Sequence, residues 1–314
     1  MHQKSFIITI DTESDNQWDY GREQTTLNAQ FIPRFQELCE RFSLMPTYLV
    51  DYSMGQNQFL VEYLRDRNNS GLCEIGMHLH AWNTPPYHNL DSTPNARPYL
   101  IEYPDAIMEE KIKTLNNLLC DQFNTVPVSH RAGRWAMNDI YIEKLSKLGY
   151  LIDCSYTPGV NWENTKGAKC GGSDYSKIKN EVIKIGKNKE MIEVPVSLLN
   201  LHILNLRGNL PKEIVKAVLG RNVWLRPAIN SNYEIMKLLS CLKTDYTEFM
   251  MHSSELMPGG SPYFSDGYAI DEMYANLEQL FAVINEKYQG HTLKNYYLRF
   301  KNSNKYCEPK RVDK

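Results

Sequence analysis

Residues 6–10, Phe-Ile-Ile-Thr-Ile, form a short β-branched apolar run, the pattern of a strand buried on both faces of a parallel sheet. Residues 28–43 then place Phe31, Phe35, Leu38 and Phe42 at helical spacing, with Arg34, Glu37, Glu40 and Arg41 between them. This predicts a helix with one face turned to a core. The alternation continues with strand at 47–50, helix at 59–65, strand at 73–78, helix at 106–123, strand at 126–130, helix at 138–148 and strand at 151–154. Residues 156–180, rich in Gly, Asn, Lys and Ser, read as a long loop over one end of the sheet. Beyond it come a strand at 192–196, helices near 211–219 and 230–242, a strand at 247–252 and a helix over 270–288. Repeated strand-helix units with short connections predict an α/β fold on a parallel sheet, closed into a barrel or doubly wound. The pattern does not separate these two. No linker divides the chain, so residues 1–300 are expected to form one domain, followed by a polar, frayed tail at 301–314.

Composition narrows the function classes. A chain of 314 residues, 42% hydrophobic, is large enough for a full core. Its formal charge of −2, with Lys and Arg scattered along the chain, argues against a nucleic-acid partner. The seven cysteines include no Cys-x-x-Cys pair and are odd in number, so they are expected to be reduced, mostly buried thiols. The N-terminal residues run into a short apolar stretch that ends in acids, unlike a secretory leader. No stretch approaches the roughly 20 apolar residues of a membrane span. A cytoplasmic protein with no transmembrane segment is expected.

The first strand ends in Asp11-Thr12-Glu13, and alternation along a strand sends both carboxylates to one side. Such acids often only cap the next turn. The strand that begins near Cys73 leads into Gly76-Met77-His78-Leu79-His80-Ala81-Trp82, which again puts two imidazoles on one side. Two neutral histidines and a carboxylate suffice to hold a catalytic zinc with a position left open for water. His2, His88, His130, His202 and His291 lack this setting and read as ordinary hydrogen-bonded histidines. Three further polar clusters follow predicted strands: Arg131 to Trp135, Asp153 to Tyr156, and His252 to Glu255. Sites in α/β folds lie at the carboxyl ends of strands, so five polar groups converge on one rim.

These motifs, in this order, resemble the polysaccharide deacetylases, the NodB-homology or family four carbohydrate esterases, over roughly the first 260 residues. The runs from Gly76 to Pro86 and from His130 to Trp135 are most similar to the WalW-like group. The resemblance implies an incomplete or distorted parallel (β/α) barrel and an N-deacetylase that depends on a divalent metal, zinc first. It implies Asp11 as general base, His252 as general acid, Arg131 as the partner of Asp11, and Asp153 as a residue that orients a charged neighbour. Glu13 and His78 would be metal ligands. The family's second histidine position is occupied here by Trp82, so His80 is taken as the third ligand, with His88 as the alternative. The acids also depart from the usual adjacent aspartates, being split by Thr12, with Glu second. Trp82, Trp135 and Tyr156 would offer flat surfaces to an N-acetylated sugar of a cell-surface glycan or its precursor. Arg131→Ala is expected to damage rate more than fold, because the guanidinium's task is to keep Asp11 ionised and aligned.

Overall fold

A computed structural model describes residues 3–17, 19, 21–90, 97–202, 211 and 218–305, with the side chains of 304 and 305 left aside. Strand β1 (Lys4–Thr12) lies second from one end of the main sheet. Its successors are β2 (Pro46–Val50), β3 (Glu74–Leu79), β4 (Ser129–Ala132) and β5 (Ile152–Asp153). Then come β6 (Ile183–Ile185), β7 (Met191–Glu193), β8 (Leu198–Leu201), β9 (Arg221–Trp224), β10 (Tyr246–His252) and β11 (Tyr288–His291). The order across the main sheet is β10-β1-β2-β3-β4-β5-β7-β6, parallel except for β6. One edge of β1 pairs with β10 along its length, while the other is shared between β11, opposite Lys4–Ile7, and β2, opposite Ile8–Thr12. The sheet curls, and the β8–β9 hairpin spans the gap between its ends. Leu225 N–H donates to Ser197 O at 2.9 Å, and Met250 N–H donates to Leu225 O at 3.1 Å. The result is an incomplete parallel barrel.

The period of two within β1 explains how the barrel is filled. Phe6, Ile8 and Ile10 face outward into the core shared with the helices. Ile7 faces inward, and with Leu49, Ile152, Cys154 and Ile192 it meets Leu293, Tyr296 and Tyr297 of a C-terminal helix. Each such apolar side chain, fully buried, stabilises by about 1.5–3 kcal/mol. Above Ile7 the inward column turns polar, through Thr9 and Asp11, and Glu13 follows just past the strand end. The barrel is therefore plugged by apolar side chains at one end and polar at the other. No helix among the described residues is long and apolar enough to cross a membrane.

The helices are α1 (Ile32–Arg41), α2 (Gln58–Asn69), α3 (Asp105–Phe123), α4 (Asp139–Lys147), α5 (Asn232–Cys241), α6 (Gly267–Lys287) and α7 (Leu293–Lys305). The helix expected over 28–43 begins as a 3-10 turn at Leu27–Phe31 and becomes α-helical at Ile32, where Pro33 suits the first turn. The strand expected at 126–130 runs later, at Ser129–Ala132. The strands β6, β8, β9 and β11 were not expected, nor was α7, which makes residues 301–305 helical where a frayed tail was expected. Most of the helix expected near 211–219 lies outside the described residues. Of the cysteines, Cys39, Cys73 and Cys154 are buried, Cys120 and Cys241 are half-buried and Cys170 is exposed, a less buried set than expected.

Candidate metal centre and active site

Inward columns from four neighbouring strands meet above the polar end of the barrel. Strand β1 and the residues after it bring Asp11 and Glu13, β3 and its end bring His78 and His80, β4 brings Arg131, and β10 brings Glu248 and His252. Parallel register sets Asp11 beside His252 and His78 beside Arg131. All except His252 are essentially buried.

Glu13, His78 and His80 form the one metal-competent cluster among the described residues, with one donor atom from each lying within 4.8 Å of the others. Glu13 Oε2 is 2.5 Å from His80 Nε2 and 3.4 Å from His78 Nε2. Nδ1 of His78 sits 3.1 Å from the Arg131 carbonyl. A protonated Nδ1 donating there leaves Nε2 with a lone pair aimed at Glu13, the second contact that ligating histidines typically make. On His80, Nδ1 is buried with no partner. Behind it lies Gly133, where a Cβ would come within 2.4 Å of that nitrogen and 2.5 Å of the Leu79 carbonyl. Only glycine fits against this imidazole. Burial and the neighbouring His78 push His80 down to about 4, so it is neutral and able to ligate at pH 7. For His78 the effect of burial is outweighed by Asp11 and Glu13, which raise it. Burial works to raise Glu13, but the hydrogen bonds of both histidines hold it well below the usual carboxylate range. The donor set fits a divalent cation of the zinc type.

Asp11 is tied to a second, fully buried network. Arg131 donates from Nη1 to Asp11 Oδ1 at 2.6 Å, from Nη2 to Thr9 Oγ1 at 2.9 Å and to Glu248, and from Nε to the Cys154 carbonyl at 3.0 Å. Burial acts to raise Asp11, and Arg131, followed by His78 and His252, more than offsets it. Across the cavity, His252 Nε2 lies 3.7 Å from Asp11 Oδ2 and 3.8 Å from Glu13 Oε1. Its Nδ1 is 3.2 Å from Glu255 Oε1 and 2.9 Å from Arg226 Nη2, and Arg226 also pairs with Glu255. Burial acts to raise Glu255, but Arg226 and His252 bring it below its ordinary value.

Asp11, Glu13, His78, His80 and His252 line one cavity of about 530 Å³, walled by Trp82, Tyr99, Trp135, Trp162, Trp224 and Tyr263. Arg131 lies beneath the Trp135 ring, 5.1 Å from its centroid. Two residues expected at this site lie elsewhere. Asp153 does not line the cavity: Ile152 and Cys154 face the barrel interior, so the alternation turns Asp153 to the helix side. There it accepts from His130 Nδ1 at 2.6 Å and Ser155 Oγ at 2.9 Å, while His130 Nε2 meets the Tyr141 hydroxyl at 2.7 Å. Tyr156 stacks on Tyr175 at 4.6 Å and does not line the cavity either. His88 lies against Tyr103, outside the metal cluster. Sequence reasoning did not find Glu248, Arg226, Trp162 or Trp224. Only Glu248 had a signal, as a lone acid inside an apolar strand, an even number of residues from His252 and hence on its side.

No family model matches the sequence, and no curated protein matches it. Among solved structures, a Mycobacterium smegmatis protein assigned as a polysaccharide deacetylase aligns with a TM-score of 0.56 at 14% identity, over 96% of this chain and 92% of that one. A 4-alpha-glucanotransferase from Thermococcus litoralis aligns with a TM-score of 0.51 at 14% identity, over 94% of this chain and 38% of that one. A family 4 carbohydrate esterase from Streptomyces lividans is a weaker match, with a TM-score of 0.43 at 12% identity over 90% of each chain. At these identities the likeness is one of fold, an incomplete parallel barrel of the NodB type.

Proposed function

We propose that this chain is a metal-dependent hydrolase that removes the N-acetyl group from an amino sugar of a cell-surface glycan or its precursor. The observation that carries this reading is the meeting of Glu13, His78 and His80 with Asp11 and His252 in one aromatic-walled cavity. A fold shared with a protein assigned as a polysaccharide deacetylase supports it. Fold alone does not decide, since a glucanotransferase has it too. The paired imidazoles beside Glu13 favour hydrolysis at a metal over glycosyl transfer.

A divalent ion held by Glu13, His78 and His80, zinc by preference, would lower the pKa of a bound water and polarise the acetyl carbonyl. Asp11, kept ionised by Arg131, takes the proton of the attacking water as its oxygen bonds to the carbonyl carbon. The carbon–nitrogen bond then breaks, and His252 Nε2 gives a proton to the departing nitrogen, leaving acetate and the free amino sugar. Glu255 and Arg226 position His252 through its Nδ1. Asp153 acts at one remove, since it holds His130, the neighbour of Arg131 in β4. Trp82 and Trp135 offer their faces to the sugar ring from the cavity wall. A cytoplasmic setting belongs to the same proposal, and recovery of the protein outside the cytoplasm would overturn that part.

The test is acetate release from N-acetylated sugars by the metal-loaded protein, with Asp11→Asn and His252→Gln beside it. Loss of about 100-fold or more in each variant is expected for groups that move protons in the reaction. Turnover unchanged in both, with metal content intact, would remove the assigned roles.

A further inference from the structure

We propose that the substrate carries an anionic oxygen group, a carboxylate or a phosphate, and that Arg134, with Arg97 beside it, selects for it. This rests on the deacetylase reading only for the ligand's being an acetylated sugar; the charge preference comes from the cavity wall.

Among the described residues, three arginines line the cavity, Arg97, Arg134 and Arg226, and the acids lining it are Asp11 and Glu13 at the metal centre. Arg226 is neutralised by Glu255. Arg134 is not neutralised: its guanidinium lies 4.3 Å from the Tyr99 ring centroid and donates to two backbone carbonyls, those of Arg97 and Lys166. Carbonyls accept hydrogen bonds without cancelling charge, and two of five N–H donors are used in this way. Among the described residues no carboxylate forms an ion pair with it. Glu102 accepts the backbone N–H groups of Tyr99, Ala168, Lys169 and Cys170, stapling the loop that forms the outer wall. Arg97 lies 5.5 Å from the Trp82 ring, which is tilted against the His80 ring with centroids 4.3 Å apart. This positive wall therefore begins one ring away from the metal ligands.

The backbone adds an independent sign. Arg134 and Trp135 both hold positive φ, 57° and 66°, a conformation that costs non-glycine residues on the order of 1 kcal/mol each and collects at ligand clamps. Both of their side chains line the cavity. A guanidinium in a concave, aromatic wall, with no acid among its described residues beyond the metal centre, is suited to bidentate recognition of a carboxylate or phosphate.

The experiment is calorimetric titration of the purified, metal-loaded protein with three probes: neutral di-N-acetylchitobiose, an N-acetylated disaccharide containing glucuronic acid, and a nucleotide-activated N-acetylglucosamine. At least one acidic probe should bind about tenfold tighter than the neutral one, the worth of one charge-assisted hydrogen bond, and lose that margin at high ionic strength. Whichever acidic probe wins identifies the anion as carboxylate or phosphate. Arg134→Gln should abolish the margin by weakening the acidic probe about tenfold more than the neutral one, whereas Arg134→Lys should keep part of it. Equal binding of all three probes by wild type would overturn the proposal without recourse to any variant, as would equal weakening of neutral and acidic probes by Arg134→Gln. An Arg134-dependent acidic preference without acetate release would sink the deacetylase reading and leave this one standing. Acetate release with no charge preference would do the reverse.

Discussion

Arg131 is the residue whose removal the structure most clearly prices. Its guanidinium is fully buried between the carboxylates of Asp11 and Glu248, with Thr9 and the Cys154 carbonyl taking its other donors. Replacing it with Met keeps the volume but leaves two buried acids facing each other without a cation. Breaking a buried pair from one side costs about 3–5 kcal/mol, a large share of a typical stability of roughly 5–15 kcal/mol. At about 2–4 °C per kcal/mol for a chain approaching this size, the midpoint of thermal unfolding should fall by on the order of 10 °C. The expectation that an Arg131 substitution damages rate more than fold therefore gives way to damage to both. Burial already pushes Glu248 up to about 7 even with Arg131 beside it, so the second change to make is Glu248→Gln. In Arg131→Met/Glu248→Gln one stranded charge is gone, and the double variant should unfold about 1–2 kcal/mol less readily than additivity predicts, within the range of couplings between contacting residues. Scanning calorimetry of the four proteins at pH 7 measures this. Strict additivity would refute the picture of Arg131 as the shared counter-ion of two buried acids.

Elemental analysis of wild type should find one divalent ion per chain, with occupancy lost in both His78→Ala and His80→Ala; retention in His80→Ala would move the third ligand elsewhere. Gly133→Ala, which forces a methyl against His80 Nδ1 and the Leu79 carbonyl, should weaken metal affinity by about 10–100-fold, the usual cost of disturbing a ligand's support, and unchanged affinity would show that the imidazole is not held as described. Asp51 supplies a pH test, since burial pushes its carboxyl up to about 7 despite hydrogen bonds from Met54 N–H and Asn83. Between about pH 4 and 7 the folded chain thus holds a proton that the unfolded chain has released, so stability falls as pH rises through that window, by up to ~4 kcal/mol for a shift of this size. Denaturant titrations across that range should show Asp51→Asn with a shallower fall; an identical slope would rule Asp51 out as its source.

How far the sequence could be read depended on whether periodicity alone was informative. In β1 and β3 it was: alternation put Asp11 with Glu13 and His78 with His80, and both pairs face the cavity. In β5 the same alternation holds, and the inward positions of Ile152 and Cys154 leave Asp153 on the opposite face, paired with His130. A place next to a strand end does not by itself bring a side chain to the rim. The strands β6, β8, β9 and β11 are three or four residues long, too short for alternation to stand out. Helix α7 is hidden by its polar composition, because Leu293, Tyr296, Tyr297 and a partly buried Phe300 supply its apolar face towards the barrel. Arg226 and Trp224 reach the cavity by way of the β8–β9 hairpin, a long-range placement that local pattern does not encode.

The pairing of β1 with β10 and β11 has a consequence for synthesis. The strand that carries Asp11 is made early, yet the strand along its full edge, with His252, is made some 240 residues later. At roughly 5–20 residues per second, β1 waits about 12–48 s on the ribosome with a hydrophobic edge unpaired. During that time Phe6, Ile7, Ile8 and Ile10 form a sticky segment of the kind that invites intermolecular strand pairing. A nascent chain stalled before β10 would then be more than a chain lacking His252: it would be a substrate for chaperones or a seed for aggregates, and β10 and β11 act as the molecule's own protection for β1.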